Sequence, residues 1–228
     1  MRTYKTVLVA VIAIAALSVQ DASAQDPAIP TIAVMDFNGF MLGDGGSSVN
    51  LGKAVSAMLV TEFSGREGIV VVERQALNDL LQEQRLALSG RVDESSAVEI
   101  GKLLGAQYMF YGQVASIANN LRIDIRAVDV ETSEIISVLK KMDQTSELLS
   151  VLVSIADEFS SELELVAPSN RPGVARIPVP AIIAFSRAVD YEDKGETAQA
   201  VEQYNAALEL YPGYIDAERA LVRLGGGE

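Results

Sequence analysis

Residues 108–139, Tyr-Met-Phe-Tyr-Gly-Gln-Val-Ala-Ser-Ile-Ala-Asn-Asn-Leu-Arg-Ile-Asp-Ile-Arg-Ala-Val-Asp-Val-Glu-Thr-Ser-Glu-Ile-Ile-Ser-Val-Leu, decide the fold. Tyr108 to Ile117 reads as a strand, and Asn119-Asn120 can supply the positive φ of a tight hairpin turn. Leu121-Arg122-Ile123-Asp124-Ile125-Arg126 then alternates, so one face is buried and the other wet. The phase slips at Ala127-Val128, where Val128 and Val130 take the inward parity if a bulge intervenes. After a turn from Glu131 to Glu134, Ile135 to Leu139 completes a three-stranded meander.

Working outward, Thr31 to Phe37 suits a buried strand bounded by Pro30 and by a flexible Gly39 to Gly46 loop. Leu51, Val55, Met58, Leu59 and Phe63 recur at helical spacing, with Ser47 or Ser48 as N-cap and Gly65 as stop. Ile69 to Val72 is a second buried strand, ending at Glu73-Arg74. Leu77, Leu80, Leu81 and Leu88 line the next helix, and a third helix from about Ser95 to Leu104 closes at Gly105. After the meander, Leu148, Leu152, Ile155, Phe159 and Leu163 form one stripe of a long helix. The expected order is βαβαα, then βββ, then α, an α/β layer structure over residues 25–166. Residues 167–180 hold four of the seven prolines and read as a semi-rigid linker. Residues 181–228 read as helix throughout.

Composition narrows the function. The chain has 228 residues, 49% hydrophobic, with a net charge of −13 and no Cys, His or Trp. That charge repels nucleic-acid phosphates and anionic headgroups. The missing Cys and His remove triad catalysis, the usual zinc sites, disulfides and a lipoprotein anchor. No cofactor or metal is expected. Arg2 and Lys5 precede an apolar run from Val7 to Val19, and Ala22-Ser23-Ala24 has a small-x-small pattern. These are the parts of a signal peptide, residues 1–24, cleaved between Ala24 and Gln25. A run of thirteen residues falls short of the roughly 20 that a spanning helix needs, so export to a periplasm is the expectation.

Val70-Val71-Val72-Glu73-Arg74-Gln75-Ala76-Leu77-Asn78-Asp79-Leu80-Leu81-Gln82-Glu83, Ile100 to Tyr108, Gly112 and Arg126 to Ile135 together resemble the CsgG family, the curli-secretion component and its relatives. The resemblance spans about residues 31–165 and implies an envelope-located, noncatalytic domain that works by oligomerisation and protein contacts. Channel-forming members are lipidated at a cysteine and insert two membrane-crossing hairpins. Here the connections after Ile117 and Leu139 leave no room for strand pairs of about 9–11 residues, so no pore is expected. Ser133 stands where related sequences often carry a turn glycine. A second resemblance, to a tetratricopeptide repeat, rests on Ala188, Tyr191, Gly195, Ala200, Tyr204, Ala207 and Pro212. One such repeat is too small to stand alone, so it leans on the first domain, pairs with another copy or stays marginal.

The expected function is a periplasmic assembly or adaptor component in secretion or curli-like surface-structure biogenesis. Its expected partners are envelope proteins, such as an outer-membrane channel or fibre subunits, and a second copy of itself. A cell-wall synthase regulator is the alternative; a nucleotide or metal binder using the Gly39–Gly46 loop is the second. That loop follows a strand and precedes a helix, but it lacks G-x-G-x-x-G spacing, and Gly52-Lys53-Ala54 lacks the P-loop hydroxyl. Asp36, Asp44 and Asp129 do not match a calcium-loop spacing. Glu73 and Arg74 are candidates for a subunit contact or a structural ion pair. Arg122 and Arg126, with Asp124, share one strand face that is either solvated or binds a partner. Tyr191 and Tyr204 are packing residues of the repeat or contacts for a partner peptide.

Overall fold

A computed structural model of the chain describes residues 29–42, 48–83, 93–163, 165 and 176–225. The expected signal peptide and its Ala24/Gln25 cleavage site lie outside the described residues. So do Gly43 to Ser47, Leu88 and most of the proline-rich linker.

The core is a seven-stranded sheet. Strands β1 (Thr31–Val34), β4 (Val70–Val71) and β5 (Tyr108–Ile117) run parallel. The meander predicted from the alternation follows: β5 pairs antiparallel with β6 (Asn120–Asp129), and β6 with β7 (Ile135–Gln144). The hairpin turn falls one residue earlier than expected, with positive φ at Ala118 and Asn119. Asn120 starts β6, and its side chain donates to the Ala118 carbonyl at 3.2 Å. Ser133 adopts a φ of 61° in the next turn, held by Asp129, whose carboxylate accepts from the amides of Glu131 and Thr132.

The register does shift opposite Ala127 and Val128, but Ile136 of β7 is the extra residue. Val128 and Val130 point to the opposite face from Ile123, Ile125 and Ala127, because this end of the sheet is buried on both sides. On one face lie α1 (Leu51–Ser64) and α4 (Leu148–Glu162). On the other, α2 (Arg74–Glu83) and α3 (Glu94–Leu104) cover Ala33, Met35, Met109 and Tyr111. The layering is therefore helix, sheet, helix, an α/β layer structure as the element order predicts.

The glycine-rich stretch is not simply a loop. Asn38–Leu42 forms β2, parallel to β5, and turns back into the two-residue β3 (Ser48–Val49). Strands β1 and β2 pair with the same side of β5, and Met35, Asp36 and Phe37 stand opposite only Tyr111 and Gly112. That one extra residue is a bulge, which re-aims Asp36 and pushes the Phe37 carbonyl toward α1. Asn50, not Ser47 or Ser48, flanks the start of α1, without a side-chain cap.

Helices α5 (Val179–Asp193), α6 (Thr197–Leu210) and α7 (Ile215–Arg223) follow. Gly195 turns the α5–α6 hairpin at a φ of 74°, and Ala188, Ala200 and Ala207 are fully buried between its helices, as the repeat pattern requires. The unit leans on the α/β layers. Phe185 and Tyr214 share one buried cluster with Met58 and Leu59 of α1, and Ser186 donates to the Asn50 carbonyl at 2.6 Å.

The tightest point in this stack is Gly52, where a Cβ would lie 1.7 Å from the Phe37 carbonyl oxygen. Gly52→Ala should destabilise the protein by at least ~3 kcal/mol, measured by denaturant unfolding, because both partners are backbone and neither can move alone.

Candidate functional site: a cleft sealed by ion pairs

The bulge places Asp36 over α1, where its carboxylate accepts from Ser56 at 2.9 Å. The chain leaves β4 at Val71, and the first residue of α2, Arg74, bonds the same Asp36 and Ser56. Its other nitrogen donates to Asp193, the last residue of α5, at 2.9 Å and 3.2 Å. Asp193 also receives Asn78 at 3.1 Å and Lys53 at 3.0 Å. Lys53 reaches Asp190 as well, at 3.0 Å. Burial works against the Arg74 and Lys53 charges, yet the surrounding carboxylates hold both pKa values above their ordinary range. Asp190 is held low, against its own partial burial, by Lys194 and Lys53. One network thus spans β1–β2, α1, α2 and α5. Deleting one member of such a network leaves another charge poorly paired in a partly dry site.

Between α1, α2 and α5–α7 lies a cleft of about 550 Å³. Ala57, Val60, Phe185, Val189 and Ala220 line its apolar part. Tyr204 donates to Glu192 at 2.5 Å, and Arg223 grips the same carboxylate through two nitrogens at 2.7 Å and 3.1 Å. Burial, and then the Glu192 charge, push the Tyr204 hydroxyl far above its usual pKa. Asp216, in the first turn of α7, is 8% exposed, and its Oδ1 has no hydrogen-bond partner. Burial raises its pKa to about 7, with Glu62 adding to the rise and Thr61 and Arg219 opposing it.

The sequence candidates distribute as follows. Arg74 forms the structural ion pair, while the adjacent Glu73 is exposed at the cleft rim. Tyr204 is 1% exposed, packed on Phe185 at a centroid distance of 5.6 Å, which leaves no surface for a partner peptide. Tyr191 is half-buried beside Lys194. Arg122 and Arg126 lie apart from the cleft on the sheet face beyond α2 and α3. Arg122 donates to Asp124 at 3.0 Å and 3.3 Å. The face around them is open: Phe40, Leu42, Ile117, Val138 and Met142 are 41%, 42%, 52%, 51% and 79% exposed. Strand pairing sets these beside Arg122, Arg126 and Lys140.

The glycine-rich stretch shows no phosphate cradle among the described residues: Gly39 to Leu42 are strand, and Leu51 and Gly52 at the start of α1 are buried. Asp36 and Asp129 have separate partners and Asp44 lies outside the described residues, and among the described residues no three acidic side chains come together as a metal-binding cluster. Sequence reading missed Asp193, Lys53 and Asp216, which are single charges on otherwise ordinary helices. The only signal was that Asp216 falls in an otherwise apolar face of α7 with Ala217, Ala220 and Leu221.

These features define an α/β/α domain with a three-helix unit, α5 to α7, docked on its first helix. Residues 15–122 match the family model for the curli production assembly/transport component CsgG, a stretch that takes in the Val70–Glu83, Ile100–Tyr108 and Gly112 motifs of the resemblance and ends before Arg126–Ile135. No curated protein matches the chain. Similar solved structures include the LpoB C-terminal domain from Salmonella enterica, at 21% identity and a TM-score of 0.42, covering 51% of this chain and 83% of that one. Lipoprotein GNA1162 from Neisseria meningitidis is 14% identical with a TM-score of 0.40, covering 57% and 96%. The PelC dodecamer from Paraburkholderia phytofirmans is 14% identical with a TM-score of 0.34, covering 61% and 91%.

Asp216 gives a pH test. Its folded pKa, about 7, lies above the ordinary carboxylate value of 3.8, so the folded state holds a proton that the unfolded state releases. Its contribution is complete below about pH 4 and lost as pH rises toward 7. Asp216→Asn should therefore raise the Tm relative to wild type more at pH 8 than at pH 4, measured by calorimetry.

Proposed function

We propose that the protein is a noncatalytic adaptor of the cell envelope, exported to the periplasm, that docks a protein partner on the open face of its sheet. The observation that carries this reading is the composition of that face. Five large apolar side chains stand exposed on it, Phe40, Leu42 and Ile117 on β2 and β5 and Val138 and Met142 on β7, with Arg122 and Arg126 on β6 between the two groups and Lys140 on β7, on a chain whose net charge is −13. Exposed apolar side chains interleaved with basic ones suit an acidic protein partner better than a solvated surface.

The match to the CsgG family model supports placing this adaptor in secretion or surface-structure assembly, with self-association as part of its action. It would do so without a pore of its own. Ala118 and Asn119 alone join β5 to β6, and β7 passes through Thr145–Glu147 directly into α4. No helix among the described residues is long and apolar enough to cross a membrane.

A photo-crosslinker placed at Met142 in intact cells, followed by mass spectrometry, tests the reading. Envelope channel proteins, fibre subunits or self-links are expected, and Arg126→Glu with Lys140→Glu should cut the yield at least tenfold without lowering the Tm. Capture of a cell-wall synthase alone would replace this reading with a regulator of that enzyme. Capture unaffected by charge reversal would remove the sheet face from the account.

A further inference from the structure

We propose that the cleft between α1, α2 and α5–α7 receives a cationic side chain, lysine or arginine, presented by a protein partner, with Asp216 as the carboxylate that holds its head group. Charge, burial and shape each point to this, independently of the sheet face.

Most charges lining the cleft are already spent. Arg74 is bridged to Asp36 and Asp193, Lys194 to Asp190, and Arg223 to Glu192. Among the described residues, Glu73, Asp79 and Asp216 are left without an ion pair, against Arg219 alone. The uncompensated balance is negative, which favours a cation and disfavours a phosphate or carboxylate ligand.

Burial singles out Asp216. It is 8% exposed, and its Oδ1 has no hydrogen-bond donor. Facing it are Thr61 from α1, whose hydroxyl hydrogen-bonds the carboxyl and leaves Oδ1 unpaired, Glu62 from α1, and Arg219 one turn further along α7. Arg219 is exposed and acts on Asp216 through space, with no hydrogen bond between them. A carboxyl oxygen out of water and without a donor is costly, and an incoming ammonium or guanidinium supplies the missing donor as a charge-assisted bond.

Shape fits the stem. Ala57, Val60, Val189, Phe185 and Ala220 offer apolar wall for the methylenes of a long basic side chain, while Glu73 and Asp79 at the rim attract its charge. The cleft volume of about 550 Å³ leaves room for the flanking backbone of the partner segment.

The test is NMR titration of the isotope-labelled protein with Nα-acetyl-lysinamide, compared with the uncharged isostere Nα-acetyl-norleucinamide. A lone side chain should bind at around 1–10 mM. Saturable shifts are expected at the amides of Val60, Thr61, Asp216 and Ala220, at least tenfold weaker with the norleucine compound and with Asp216→Asn. Arg219→Ala, which leaves the carboxylate and removes its competing cation, should tighten binding several-fold, and this variant decides the matter if Asp216→Asn does not fold. Equal response to both compounds, no saturable shift, undiminished binding in folded Asp216→Asn, or no gain in Arg219→Ala would each overturn the proposal.

Discussion

The structure depends on α1 being buried from two sides. Leu51, Ala54, Val55, Met58, Leu59 and Phe63 are all completely buried along one half of the helix, and Ala57 and Val60, partly buried against the same core, carry the apolar surface onto the other half. A helix with apolar surface on more than one side needs cover from more than one side. The sheet and α4 cover one part, with Phe63 packed against Phe110 and Phe159 at centroid distances of 4.8 Å and 5.8 Å. The helical unit covers the rest, through Phe185 and Tyr214, whose hydroxyl donates to the Met58 sulfur at 3.4 Å. A single helical repeat cannot bury its own apolar face. Here α1 serves as the missing neighbour, so neither side is complete without the other.

The ion-pair network gives that apolar contact its register. Burial alone is non-directional and would tolerate rotation of α5 over α1. Lys53 and Arg74 fix the C-terminal end of α5 by converging on Asp193, while Ser186 fixes its middle to the Asn50 carbonyl. The bulge after β1 completes the arrangement, since an uninterrupted strand would offer no Asp36 at the position where Arg74 enters. A side effect is the cleft. Where α5 and α7 diverge from α2, the network closes its floor and leaves Asp216 at its α7 wall.

Much of the fold was legible because it was written locally. The charged and apolar alternation of Leu121 to Arg126, the left-handed Gly105 with a φ of 66° and the stripe of α4 each act within a few residues. Strand β2 was not legible, because Gly39 reads as loop. In fact a Cβ there would lie 2.0 Å from the Val114 carbonyl oxygen, so the glycine is demanded by close strand packing. The far end of β7 was missed because Lys140, Lys141 and Asp143 are polar, yet pairing with β6 carries the strand to Gln144. At the candidate site the sequence offered Glu73 and Arg74 but not their meaning. Arg74 and Asp193 lie 119 residues apart, and only the docking of α5 brings them together.

The central claim, that the α/β layers and the helical unit form one cooperative body around α1, is tested most directly by native-state hydrogen exchange. The account predicts that the amides of Val55 and Leu59 in α1 and of Phe185 and Val189 in α5 exchange through a common opening with the same free energy and the same denaturant dependence. Exchange of the α5 amides through a separate, lower-energy opening, with α1 still protected, would contradict it.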